Sequence, residues 1–503
     1  MQTTVDSIQE ACLKRSALIV ALLVVFVPKM GVSATYYIDF SSGNDSNAGT
    51  SKAAPWQHAP GMTGYTHSGY SHSAGDQFIL KGGVTWDNTI APWNYSYSGV
   101  SGSPDYIGVD RTWFAGASWT PPIINGGSMN PIPSNLLFDF IKFTGSNITL
   151  DGWEVTNIGV PGTNQGNYAI LFSGSQGITV ENMVLPVESR VALLFIEVGG
   201  TTVSGFSIHN NDISECSWGV GIGVSTSNTV VNGVSIYDNA IHDFHDQMAD
   251  SAHGDGIMLY GPSASGSDAS FYVNQPVVYG NSFYGDFSAS DTTNTGMNGL
   301  ITLTYNVNGP MLVYDNWVAV SNSAGGESAS AGASFVVGSQ ISGIPDTEID
   351  IYNNSVSADT AFQGLFGGYG VPLKFENNIL LGGKAGYYIG STAALSAFTS
   401  DYNDFYGQTA SCWINEAGSC KSYAQFVAQG YEAHGLNKNP DFIPAANVRL
   451  VGISPVIGRG VNLSSIFTTD AAGNPRPSPP TAWDMGAFQT QGKPPSLTVK
   501  GVH

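Results

Sequence analysis

One short pattern of apolar and polar positions recurs along the chain: "ITVENMV", "FSIHNNDI", "VSIYDNAI", "VVYGNSF", "MLVYDNWV", "IDIYNNSV", "LKFENNIL" and "SDYNDFY". In each copy, apolar residues alternate with polar ones up to an asparagine, and another apolar residue follows. Alternation with a period of two predicts a strand with one buried face. Aligned on the asparagine, the copies put Asn182, Asn211, Asn239, Asn281, Asn316, Asn354, Asn378 and Asn403 in one column, at intervals of 29, 28, 42, 35, 38, 24 and 25 residues. "ITLDGWEV" at 148–155 reads as an earlier copy, with Gly152 at the asparagine position.

A minimum interval near 24 residues, with insertions of variable length, predicts the coils of a parallel β-solenoid. One coil cannot bury its apolar face alone, so successive coils stack at about 4.8 Å and share a continuous core. Asparagines at one turn of every coil can then hydrogen-bond along the stack. "NN" and "DN" are also ordinary turn residues of a β-sandwich, but eight copies in one frame favour the solenoid. The predicted fold class is therefore all-β.

"YYIDFSSGNDSNAGTSKAAPWQ" (36–57), "GDQFILKGG" (75–83) and "YIGVDRTWF" (106–114) resemble the opening of secreted right-handed parallel β-helix proteins of the pectate-lyase-like superfamily. "NPDF", "SPVIGRG", "GNPRP" and "WDMGAF", between 439 and 488, resemble the closing segment of the same group. The resemblance implies a right-handed parallel β-helix and leaves the activity open, because the superfamily holds polysaccharide lyases, glycoside hydrolases, epimerases and non-catalytic surface proteins. The chain divides accordingly into an export signal over 1–34, an N-terminal capping region with the first strands over 35–130, coils over 131–410, and a C-terminal excursion and closing segment over 411–503. Within the last, "KSYAQFVAQGYEAHG" (421–435) has apolar spacing compatible with a short helix.

Composition narrows the setting. Lys14 and Arg15 precede the apolar run "SALIVALLVVFV", and "VSA" ends at Ala34 like a cleavage site, so export with cleavage near Ala34 is expected over an uncleaved anchor. Cleavage removes three basic and two acidic residues and takes the formal charge from −21 to −22. Such a surface argues against nucleic acid and, after cleavage, against anionic membranes, and a monomer is expected. Cys412 and Cys420 flank a short loop and could pair in an oxidising compartment, whereas Cys216 sits among apolar residues as a buried inert thiol.

Only 11% of residues are charged, yet "DNAIHDFHDQMADSAHGDGIMLYG" (238–261) gathers three of the nine histidines and five aspartates. Aligning Gly221, Gly256, Gly299 and Gly364 puts Val220, Asp255, Asn298 and Gln363 in one column. Asp255 then either points inward with amide partners or lies at a bend before its strand and faces outward. The glycine after it favours the outward case, since an ionised carboxylate inside a narrow coil lacks compensation. Paired carboxylates, Asp255 with Asp243, Asp246 or Asp250, could supply the acid and base of glycoside hydrolysis, with His253 assisting. Asp250, His242 and His245 could instead hold a cation, with Ca²⁺ favoured by oxygen ligands and Zn²⁺ by the imidazoles. A solvated polar loop is the alternative without chemistry.

Candidate substrate contacts are Arg190, Glu215, Trp218, Asn298 and Tyr260. Arg190 either binds a substrate carboxylate or pairs with Glu188 or Glu215, and Trp218, Tyr260, Tyr284 and Tyr305 either stack on sugars or pack. A repeating groove suits a repeating polymer, so the expected function is polysaccharide cleavage. The resemblance implies lyases that use a Lys or Arg base, often with Ca²⁺. This chain departs from that pattern, with no lysine from 143 to 373 and Arg190 as the sole Arg there. That shifts the expectation toward a glycoside hydrolase using Asp carboxylates. A Ca²⁺-dependent lyase or epimerase and a non-catalytic adhesion solenoid remain the alternatives.

Overall fold

The computed structural model describes residues 32–136, 140–160, 168–197, 202–224, 228–244, 254–260, 272–287, 297–303, 307–322, 333–337, 348–358, 363–367, 372–390, 392–409, 412–443 and 448–490. The predicted leader falls outside them. Among the described residues, one 14-stranded and one 21-stranded sheet run the length of the molecule. Their strand pairs are parallel, apart from the small hairpin of Ile414–Glu416 with Ser419–Lys421. The chain is thus an all-β parallel β-helix. Strands that precede the asparagine turn form the first sheet. The second sheet bends through the long strands Val184–Glu197 and Asp212–Val224, and so supplies two further faces of the coil. The stack begins at Thr35–Ile38, which pairs with Gln77–Gly82 and through it with Asp105–Phe114.

The asparagine column is continuous from Asn211 to Asn403. Each side-chain amide donates to the next Asn Oδ1 at 2.9–3.0 Å, from Asn211 to Asn239, Asn281, Asn316, Asn354, Asn378 and Asn403. Each Oδ1 also accepts the backbone N–H of the preceding asparagine, and each amide donates again to a carbonyl, as Asn239 does to Ile208 at 2.9 Å. Asn182 is not in this column. The Oδ1 of Asn211 accepts the N–H of Met183, so Met183 holds the asparagine position one coil earlier. Asn182 instead aligns with the residue before each ladder asparagine. Asn182, Asn210, Asp238, Gly280, Asp315, Asn353, Asn377 and Tyr402 all have φ between 50° and 65°. Asn, Asp and Gly tolerate that left-handed conformation best, which explains the "NN", "DN" and "GN" pairs.

The ladder ends on a carboxylate. Glu432 is buried, accepts the Asn403 backbone N–H at 3.0 Å and its amide at 2.8 Å, and also takes hydrogen bonds from Ser400 and Tyr387. It follows the short helix Tyr423–Ala428, which Ser422 caps through a reciprocal contact with Gln425 and which drives Phe426 into the core. Cys412 and Cys420 form a disulfide, and Cys216 is buried, its thiol pushed up by burial.

The closing segment does more than cover the end. It runs back along the coils, packing Leu463, Phe467 and Trp483 on Tyr352, and Val448, Ala487 and Phe488 beside Trp317. Buried Arg476 reaches Asp315 at 2.5 Å, and Asn353 donates to the carbonyls of Asp484 and Gly486. Sequence motifs that look terminal thereby brace the asparagine turn from outside.

Two predictions follow from this packing. Asn316→Ala orphans several buried partners and should lower stability in urea by about 3 kcal/mol, whereas Asn182→Gly, exposed and outside the ladder, should change it by less than about 0.5 kcal/mol. Equal effects would contradict the register. Burial also pushes Asp350 up to about 6, and Asp404 and Glu432 up to about 7. Groups whose folded pKa is raised bind more protons folded than unfolded, so their contribution is fully present below about pH 4 and is lost as pH rises toward 7. Urea midpoints should therefore fall between pH 5 and 7. Glu432→Gln should flatten that fall, and a slope unchanged in that variant would remove Glu432 from the account.

Candidate active site

The face that follows the second bend of each coil carries the candidate site. Its strands include Tyr168–Ser173, Gly254–Tyr260, Met297–Leu303, Ala333–Val337, Gln363–Gly367 and Ala385–Ile389, with the later halves of Val184–Glu197 and Asp212–Val224. Pairing sets Tyr168, Val191, Trp218, Asp255, Gly299, Ala333, Gln363 and Ala385 in one column. Asp255 and Gln363 therefore share a column, as the sequence suggests, but Val220 and Asn298 do not belong to it. Val220 pairs with Ile257 in the core, and Asn298 falls at a register shift between Met297 and Gly299. The side chain of Asn298 lies outside the described residues.

The glycines that misalign the column also explain the bend. A side chain at Gly219, Gly256, Gly364 or Gly386 would strike the core rings or side chains of Phe244, Phe283, Leu380 or Phe405, so these positions face inward. One at Gly299 would meet Thr302 and Val336 on the outer side. Each strand thus places the column residue outward and the next two inward. Asp255 points away from the core yet is fully buried (0% exposed). Its carboxylate accepts the Thr302 hydroxyl at 2.5 Å, and Trp218 and Gly299 flank it.

Beside it lies an aromatic patch. Trp218 and Tyr260 meet edge to face at 5.8 Å and pack with Tyr168, Leu171, Val191 and Leu194. Arg190 holds its guanidinium 5.6 Å above the Trp218 ring. The Tyr260 ring lies across Gly223, where any side chain would collide with it. Burial, with Tyr168 nearby, pushes the Tyr260 hydroxyl up to about 12, against the pull of Arg190. Three of the candidate substrate contacts, Arg190, Trp218 and Tyr260, are thus brought together with Asp255.

The second bend adds a tier of carboxylates. Glu188, Glu215 and Asp243 occupy it in successive coils, each with φ between 48° and 54°. The Glu215 N–H donates to the Asp243 carbonyl at 3.2 Å. Burial and Glu215 push the Glu188 carboxyl up. Glu188 and Glu215 each stand three residues before the column, at most about 10 Å of extended chain. His242 sits between Asp212 and Asp243, each 2.7 Å from one ring nitrogen, and stacks on Tyr284 at 4.7 Å. Burial would lower its pKa, but hydrogen bonds to both carboxylates and their charge raise it. His242, a candidate cation ligand, has both ring nitrogens turned to carboxylates here, so a cation at this ring would have to replace one of those contacts.

Asp246, Asp250, His245 and His253, and with them most of the acidic insertion, lie outside the described residues, as does Tyr305. Among the described residues, no group of three or more His, Cys, Asp or Glu side chains is arranged to hold a metal ion. Sequence reasoning missed Asp212 and Thr302. Asp212 directly follows a ladder asparagine, and Thr302 lies in "ITLTY", but neither signal is distinctive without the fold.

No family model matches the chain, and no curated protein matches it. Among solved structures, it is similar to pectate lyase Pel9A (15% identity, 92% of this chain and 98% of that one, TM-score 0.48). It is also similar to XylC in complex with xylose (11%, 91% and 98%, TM-score 0.45). A third is the GH136 lacto-N-biosidase from Eubacterium ramulus (10%, 77% and 66%, TM-score 0.38). At such identities the likeness concerns the fold alone, and the β-helix stands on this chain's own strand pairing.

The His242 geometry makes a prediction. In a nitrogen-detected NMR titration, His242 should remain an imidazolium above the ordinary histidine range, and Asp212→Asn should move its midpoint down. A His242 midpoint at or below that of an ordinary histidine would contradict the doubly bonded arrangement.

Proposed function

We propose that this protein is an exported enzyme that cleaves a polysaccharide along the outward face bearing Asp255, by hydrolysis with carboxylates. The observation that carries the reading is a fully buried carboxylate beside an Arg-capped aromatic patch on one face, with a tier of carboxylates at the bend that leads into it. Buried carboxylates away from a core are costly and concentrate where chemistry needs them. Trp218 and Tyr260 offer apolar ring surface to the C–H face of a sugar. Glycosidic cleavage needs one carboxyl to protonate the leaving oxygen and a second to activate water or attack the sugar.

Asp255, enclosed and steadied by Thr302, is assigned the proton donor. Asp243 is assigned the partner carboxylate, because its 43% exposed side chain reaches the solvent that supplies water. His242 and the Asp286 N–H, 2.9 Å from Oδ1, hold it in place. A second reading is kept for one observation: Arg190 stacks on Trp218 in the same patch, where it could meet the carboxylate of a uronic sugar, as a lyase requires.

Asp255→Asn should lower the turnover of polysaccharide about 10²- to 10⁴-fold with an unchanged melting temperature. Thr302→Val should lower it about tenfold, and Trp218→Ala should act mainly by raising KM. Full turnover in folded Asp255→Asn would sink the assignment.

A further inference from the structure

A different face of the helix carries a depression of about 340 Å³, lined by Thr35, Tyr37, Gln77, Ile79, Tyr106, Val109 and Asp110. These residues belong to the first three strands of the sheet that precedes the asparagine turn, so the depression is separate from the Asp255 face. Its central feature is the ring of Tyr106. The ring's outer end packs over Gly108, where an added Cβ would come within 2.3 Å of it. Its hydroxyl donates to Asp151 at 2.6 Å, and Val109 N–H donates back to it at 3.3 Å. Glycine beside the ring and a carboxylate at its tip fix the ring's position before any ligand arrives.

The surroundings define what fits. Tyr37 adds a second ring, held edge-on to Trp113 at 5.2 Å, and Ile79 and Val109 are apolar. Thr35 and Gln77 form a hydrogen-bonded polar rim, their side chains 3.1 Å apart. Asp110 is neutralised by Lys52 at 2.6 Å. A tyrosine ring with apolar neighbours and with hydroxyl and amide groups around it matches a pyranose, whose C–H face is apolar and whose edge is all hydroxyls. With Asp151 beside the ring and a chain of formal charge −21, a uronic sugar is disfavoured.

We infer that this depression is a second glycan-binding site, for one neutral sugar unit stacked on Tyr106, which holds a polysaccharide at a distance from the site of cleavage. It shares the ligand class of the proposed function but none of its residues.

The test is titration calorimetry and ligand-observed NMR with xylohexaose, cellohexaose and hexagalacturonate on the chain from Thr35, with Tyr106→Ala, Gly108→Ala, Tyr106→Phe and Trp218→Ala variants of unchanged melting temperature. A neutral hexaose should bind wild type and Trp218→Ala at this site. Tyr106→Ala and Gly108→Ala should each weaken that event about tenfold or more, the second because its methyl group displaces an intact ring. Tyr106→Phe should keep most of the affinity. Isotherms unchanged in both Tyr106→Ala and Gly108→Ala would overturn the site, as would equal binding of hexagalacturonate or no binding of any hexaose. Binding that is lost in Trp218→Ala alone would support the cleavage face and overturn this second site, so the two readings fail separately.

Discussion

Everything in this molecule hangs on the amide-to-amide hydrogen bonds of the asparagine turn. A primary amide is the one side chain short enough to stay inside the turn while accepting two bonds and donating two. From Asn239 to Asn403 every amide does so, and the chain has no freedom to slip by a residue between coils. Such a register is set once and inherited by every strand that follows. Glu432 terminates the series by supplying two acceptors where no further asparagine exists.

The outward face inherits this constraint. Because Asn211, Asn239 and Asn281 stand directly over one another, the strands after them bring Trp218, Asp255 and Gly299 side by side. The bend carboxylates Glu188, Glu215 and Asp243 stack for the same reason. A rigid ladder on one edge therefore positions the candidate site's side chains on another. The closing segment reinforces it where Arg476 meets Asp315 and where Asn353 and Asn377 bond to carbonyls of that segment.

The solenoid was legible in the sequence because its asparagines repeat in a frame of alternating apolar residues. The coil before the ladder was not. Asn182 mimics a ladder asparagine, and the decisive residue, Met183, has no amide to betray its position. The glycine alignment failed for a similar reason. Gly256 is a glycine because Phe283 fills the space inside it, and Gly299 because Thr302 and Val336 fill the space outside. Identical letters carry opposite geometry. Asp255 was found through its place beside a glycine, whereas its partner Thr302 and the Asp212–His242 pair depend on contacts across coils that no local pattern encodes.

The central claim is that the Asp255 face cleaves a glycan by hydrolysis. The most direct measurement follows reducing ends and the ultraviolet absorbance of unsaturated products together, with the chain from Thr35 acting on neutral and uronic polysaccharides, with and without Ca²⁺. The account predicts new reducing ends without absorbance. Absorbance rising in step with reducing ends would contradict it and transfer the chemistry to Arg190, and silence across the panel would contradict cleavage altogether.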